Sequence, residues 1–275
     1  MAASGSSPSA QQRREAQREE LRKQRQAELK RQRTVRTAVI AAITALALLI
    51  VAGAGYLIYR SMQPAGPVAV PEGMAADQPY LSLGAPEDSG APVLEIHLDF
   101  MCPFCGQFEE INGADLQEIA TNEEATVHIV PRRFLDTAST TGDYSSRAAN
   151  AMVCVYEDDP ENTLAFQQLL FANQPAEGSA GLSDDEIWTY AQEAGASEAV
   201  ESCMSGKTYQ PWVRQVADPY GEENGGGTPY VELDGTTLDS EQWATPGALR
   251  EAVLAASGAA APSDGGGEAS DGGQG

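Results

Sequence analysis

Residues 37–59, "TAVIAAITALALLIVAGAGYLIY", run for 23 positions without a charge in a chain of 275. As a helix rising 1.5 Å per residue, such a run is about 34 Å long, enough to cross a ~30 Å hydrocarbon core. A cleavable signal peptide has a shorter apolar run and a shorter basic start. A lipoprotein signal would place a cysteine just after the run, and none is there. The expectation is therefore a signal anchor that stays attached. Arg31, Arg33 and Arg36 flank its start and only Arg60 follows. The positive-inside rule then puts residues 1–36 in the cytoplasm and everything after the anchor on the far side of the membrane.

Charge divides at the same place. Residues 1–36 carry ten Lys/Arg against four Glu, a net of +6. Residues 61–275 carry six Lys/Arg against 36 Asp/Glu, a net of −30. So acidic a segment repels phosphate backbones and argues against a nucleic-acid partner. The basic segment, with little apolar surface beyond Leu21 and Leu29, reads as a solvated helix or a disordered arm that fixes topology. Residues 60–78 are a Pro/Gly-rich linker, and 257–275 lack the apolar content to fold. One domain remains, residues 79–256.

Within it "VLEIHLDF" (93–100) alternates Leu94, Ile96, Leu98 and Phe100 with Glu95, His97 and Asp99, the period of a strand. "YLSL" and "ATVHIVPRR" are two further strands. Phe104, Phe108 and Ile111 fall at helical spacing directly after 93–100, with Asn112-Gly113 expected to bend or interrupt that helix. Five helical stretches follow, near 143–157, 161–173, 183–195, 197–204 and 208–220. "TPYVELDGTTLD" predicts a hairpin turning at Asp234-Gly235, and "PGALREAVLAAS" a closing helix. The class is α/β with a helical insertion over about 137–222.

The chain has four cysteines. Cys102 and Cys105 have the spacing of a zinc knuckle, but Cys154 and Cys203 form no second knuckle, and His97 and His128 sit in strand patterns; no metal is expected. As a structural staple, a CxxC loop constrains too little chain to stabilise much, whereas Cys154 to Cys203 encloses about 50 residues, worth up to ~4 kcal/mol in the chain-entropy model. The second pair reads as structural and the first as reactive. Cys102 ends a strand and opens a helix, where backbone N–H groups favour a thiolate. Pro103 suits the first helical turn, which leaves an N–H unpaired in any case. Cys105, one turn deeper, is placed to resolve a mixed disulfide with Cys102.

With Asp99-Phe100 before the motif, "LEIHLDFMCPFCGQF" resembles the DsbA-like branch of the thioredoxin superfamily. "LSLGAPEDSGAPV", "YSSRAANAMVCVYE", "FQQLLFANQP", "LSDDEIWTYAQEAGA" and "GGGTPYVELDG" fall in the expected order. The resemblance implies a thioredoxin fold with a helical domain inserted between two strands. It implies too that Thr228-Pro229 is a cis-proline dipeptide lying against the CxxC and pairing with substrate backbone, beside Pro103 and Phe104. The activity it implies is thiol–disulfide exchange outside the cytoplasm, with no cofactor beyond the Cys102–Cys105 disulfide. Its partners would be exported cysteine-containing proteins and a membrane redox protein that recycles the pair. A reductase or isomerase, or a tethered binding module with an inert CxxC, are the alternatives.

Two departures stand out. Strongly oxidising members carry histidine where this chain has Phe104, leaving helix N–H groups to stabilise the thiolate. A carboxylate common six residues before the first cysteine is replaced by Ile96; Glu95 and Asp99 bracket it, on what is expected to be a partly solvated face. His97 is expected to be a sheet-face residue, and Arg132 and Arg133 surface or ion-pairing residues.

Overall fold

A computed structural model describes residues 10–62 and 68–260. The first segment is one helix, α1 (Ala10–Met62). It takes in the basic region and the apolar run without a break, and ends inside what composition marks as linker. Lys23 and Glu19, four residues apart, form an exposed ion pair on it. Residues 1–9, the start of that basic segment, lie outside the described residues.

The second segment is built on a five-stranded sheet in the order β1-β3-β2-β4-β5. The strands are β1 (Leu81–Gly84), β2 (Val93–Leu98), β3 (Thr126–Pro131), β4 (Tyr230–Leu233) and β5 (Thr236–Thr237). β2 lies in the middle, parallel to β3 with Ile96 opposite Ile129, and antiparallel to β4 with Ile96 opposite Val231. The β2–β3 crossover is α2 (Pro103–Thr121). Between β3 and β4 come α3 (Tyr144–Asp158), α4 (Thr163–Ala172), α5 (Asp184–Glu193), α6 (Ala199–Ser205), α7 (Gln210–Trp212) and α8 (Asp218–Asn224). A π turn, Val213–Ala217, joins α7 to α8; Pro219 just beyond it withdraws one N–H from the ladder. The closing helix is α9 (Ala248–Ala260). This is the expected thioredoxin fold with its helical insertion. The hairpin turns at Asp234 and Gly235, whose φ values of 48° and 75° are both left-handed, as a two-residue type I′ connection requires.

Several expectations need correction. Asn112-Gly113 does not interrupt α2. The Asn112 amide donates to the Phe108 carbonyl one turn back, and Gly113 leaves room for Glu109, whose Oε1 would stand 2.7 Å from a Cβ there. The tail, expected to be unstructured from 257, is helical through Ala260. The strand face bearing Glu95, His97 and Asp99 is not partly solvated: all three are buried, with Tyr220 of α8 donating to both Glu95 oxygens at 3.0 Å and packing on His97, and Ser145 of α3 donating to Asp99. Of the two roles expected for Arg132 and Arg133, surface or ion pairing, both residues take the second: Arg132 is 1% exposed with its Nε 2.8 Å from Asp218 Oδ1, and Arg133 Nε lies 2.9 Å from Asp136 Oδ2.

The core is continuous from sheet to insertion. Leu94, Ile96 and Leu98 of β2, Phe108, Leu116 and Ile119 of α2, and Met152, Phe166 and Trp212 of the insertion are all within 1% of full burial. The site lies where that core reaches the surface.

Candidate active site

Cys102 is the N-cap of α2 and Pro103 its first residue. The Cys102 N–H donates to the Asp99 carbonyl, and its own carbonyl accepts from Cys105 and Gly106, the first bonds of the helix. Its thiol donates to the Thr228 carbonyl at 3.3 Å. Thr228-Pro229 is a cis peptide. The fold thus brings together the two segments, 126 positions apart, that the sequence singles out.

Both motif cysteines are free thiols. They are unequal. The Cys102 pKa is lowered to about 6, chiefly by hydrogen bonding from the Cys105 thiol, against burial, with Thr228 and the Cys105 and Phe104 backbone groups adding to it. Helix N–H groups therefore do not act alone in place of the missing histidine. Burial pushes the Cys105 thiol well above its usual value, and its bond to Cys102 pushes it further. At neutral pH the pair favours one thiolate, on Cys102, over one protonated partner. Cys102, which its place at the helix start leads one to expect as the exposed thiol of the pair, is itself buried, at 5% exposure against 1% for Cys105. Phe104 between them is 65% exposed.

Asp99 holds the turn that carries Cys102. Its carboxylate accepts from Met101 N–H and Leu135 N–H, each at 2.8 Å, and from the Ser145 hydroxyl at 2.7 Å. Burial raises its pKa to about 6 despite these donors, with the Cys102 charge adding to the rise. Glu95 goes the other way: hydrogen bonds from His128, His97 and Tyr220 overcome burial and hold it at about 2. A carboxylate held ionised by that network is a structural anchor under the sheet; of the two, Asp99 has the electrostatic contact with Cys102.

A groove of about 550 Å³ opens beside the motif, lined by Pro103, Gly106, Gln107, Glu110, Gln168 and Gln174 among others. Gln174 was not legible as a site residue; its only sequence signal is its place in "FANQ". Cys154 and Cys203 are bonded to each other and join α3 to α6, with Cα atoms 5.9 Å apart. Among the described residues no cluster of His, Cys, Asp and Glu is suited to a metal.

A family model described as Thioredoxin matches residues 82–252. The serine/threonine-protein kinase PknE of Mycobacterium tuberculosis is 31% identical over 157 residues, covering 54% of this chain and 28% of the kinase. The chain thus spans little more than a quarter of the length of the curated relatives it matches. Among solved structures, reduced DsbA from Mycobacterium tuberculosis aligns with 66% of this chain and 100% of its own, at 25% identity and a TM-score of 0.54. MdbA, a thiol-disulfide oxidoreductase from Actinomyces oris, aligns with 68% of this chain and 92% of its own, at 22% identity and a TM-score of 0.55.

Proposed function

This chain belongs to the thioredoxin family, with the fold of its DsbA-like branch, and we propose that it is a membrane-anchored protein thiol–disulfide oxidoreductase that forms disulfides in exported proteins. The observation that carries the reading is the unequal pair: a Cys102 thiol with a pKa of about 6 at a helix start, against a buried Cys105 whose pKa is raised. A low-pKa sulfur is a good leaving group, and a stabilised thiolate favours the reduced form of the enzyme, which makes its disulfide oxidising.

The reaction begins from the Cys102–Cys105 disulfide. A substrate thiolate attacks Cys102 Sγ, forming a mixed disulfide and releasing Cys105, whose high pKa lets it take up a proton. A second substrate thiolate attacks the substrate sulfur of the mixed disulfide and expels the Cys102 thiolate. The substrate loses two electrons as a disulfide and the enzyme gains them as a dithiol. A membrane redox partner then withdraws them. Thr228 and Pro229 form the wall against which the substrate backbone lies, with Pro103 and the exposed Phe104 beside it.

For the anchor, support comes from α1, whose span Lys30–Val51 contains a stretch long and apolar enough to cross a membrane. The arginines before the apolar run favour a cytoplasmic start and an extracytoplasmic catalytic domain.

The test is stoichiometric transfer. Oxidised full-length protein, mixed with a reduced two-cysteine peptide, should yield disulfide-bonded peptide and the dithiol enzyme, and Cys102→Ala should abolish this. Efficient insulin reduction with no peptide oxidation would favour the reductase alternative; neither activity would leave the binding module.

A further inference from the structure

Helix α4 ends at Ala172, and Gln174 turns its side chain back toward the motif. Its Nε2 donates to two carbonyls, Phe100 at 3.1 Å and Cys102 at 2.8 Å. These oxygens bracket the turn that delivers Cys102 to α2. The Cys102 carbonyl is also the acceptor for Cys105 and Gly106, so the amide caps the first oxygen of the helical ladder. The backbone holds the amide in place, since Gln174 N–H donates to the Phe171 carbonyl at 3.1 Å.

Gly106 supplies the other half of the fit. A Cβ there would stand 2.4 Å from Gln174 Oε1 and 3.1 Å from its Cδ. Gly106 lies within the helix and is not among the positive-φ glycines, so no backbone strain calls for glycine. Glycine inside a helix costs roughly 0.5–1 kcal/mol relative to alanine. Its presence here leaves room for the amide.

From these contacts we infer that Gln174 is a positioning residue for Cys102, by which the helical insertion holds the active-site turn and keeps the sulfur over the first N–H groups of α2. The inference rests on the proposed function only in taking Cys102 as the reactive thiol. Loss of the amide removes two donors beside Cys102 and loosens the turn. Both effects disfavour the thiolate, so they add in the same direction.

The experiment uses full-length protein in detergent and two single variants. Gln174→Met keeps the side chain's length and removes both donors; Gly106→Ala leaves Gln174 in place and displaces its amide. Two properties of Cys102 are followed, its alkylation rate at about pH 6, where its thiolate is half formed, and the pH dependence of thiolate absorbance. Each variant should alkylate roughly threefold to tenfold more slowly, the scale of one lost hydrogen bond, with the titration moved to higher pH. The double variant should be no worse than the stronger single, because both act on one contact. A lowered melting temperature with an unchanged titration would make the contact merely structural and overturn the inference, as would full additivity of the two changes. If Gln174→Met does not fold, Gly106→Ala alone decides by the same readout. A wild-type protein that titrates low yet transfers no disulfide to peptide would sink the oxidase reading while leaving the role of Gln174 measured.

Discussion

The Ser145 hydroxyl donates to Asp99 Oδ1 at 2.7 Å, tying the first turn of α3 to the chain three residues before Cys102. This bond favours the ionised carboxylate, which burial disfavours. Because its folded pKa is raised from 3.8 to about 6, Asp99 contributes stability below about pH 4 that is lost as pH rises toward 6. Ser145→Ala should lift that pKa further and deepen the loss. The expected destabilisation is small at about pH 4 and about 1–2 kcal/mol at about pH 8. Unfolding measured at both values checks it; equal losses would show that the hydroxyl does not act through the carboxylate.

Glu109, buried between α2 and α4, has its pKa raised to about 7 by burial, against the hydrogen bond from Gln167 Nε2 at 2.7 Å. The sign is the same: its contribution is present below its ordinary value of 4.5 and lost as pH rises to about 7. Glu109→Gln keeps an acceptor for Gln167 and cannot ionise. It should be more stable than wild type at about pH 8 by about 1–3 kcal/mol, and no better at about pH 4. Denaturant melts at the two pH values separate these outcomes.

Alkylation of the reduced protein should modify Cys102 first, with an apparent pKa near 6. Cys105 should resist until the solution is well above the ordinary thiol range. Peptide mapping after timed labelling identifies the site, and faster labelling of Cys105 would reverse their assigned roles.

Replacing both Cys154 and Cys203 by alanine opens a link between positions 49 apart. The expected loss is about 2–4 kcal/mol, seen as a lower melting temperature. Thiol exchange at Cys102 should persist in the folded variant, since the bridge joins α3 to α6 and not the motif. Loss of exchange at a temperature where the variant is still folded would contradict this separation.

The reduction potential of the Cys102–Cys105 pair should lie between about −120 mV for the strong oxidants and about −270 mV for thioredoxin. Phe104 supplies no charge to the thiolate, while the Cys105 thiol and Thr228 do lower its pKa. Equilibration with glutathione gives the value. A potential at or below thioredoxin's, with the pair reduced in cells, would transfer the assignment to a reductase.

What the sequence made legible was local. The alternation of 93–100 and the stripe of Phe104, Phe108 and Ile111 placed Cys102 at a strand–helix junction, because both periods are short-range consequences of backbone geometry. The Asp234-Gly235 turn was readable for the same reason. Asn112-Gly113 misled because its helix is held by partners that local propensity does not register: the Phe108 carbonyl and the packing of Glu109. Glu95 and Asp99 looked half-solvated because alternation gives a face but not what covers it. Tyr220 and Ser145, both from the insertion, cover them. Gln174 reaches Cys102 across 72 positions, and no periodicity carries a contact of that kind.

The strand order also sets a sequence of events in time. β2 is the middle of the sheet, yet one of its two neighbours is β4, and the Val93 N–H meets the Asp234 side chain 141 positions later. At a synthesis rate of roughly 5–20 residues per second, β2 waits on the order of ten seconds with one edge unpaired. Of its two neighbours in the sheet only β3 has been made in that interval, after the crossover α2 that bears Cys105 and is capped by Cys102. The residues of the half-sheet that carries Cys102 are therefore made first, and Thr228, which meets the Cys102 thiol, is made 126 positions later. A nascent chain would present its thiol pair to other proteins before it had a site to control them.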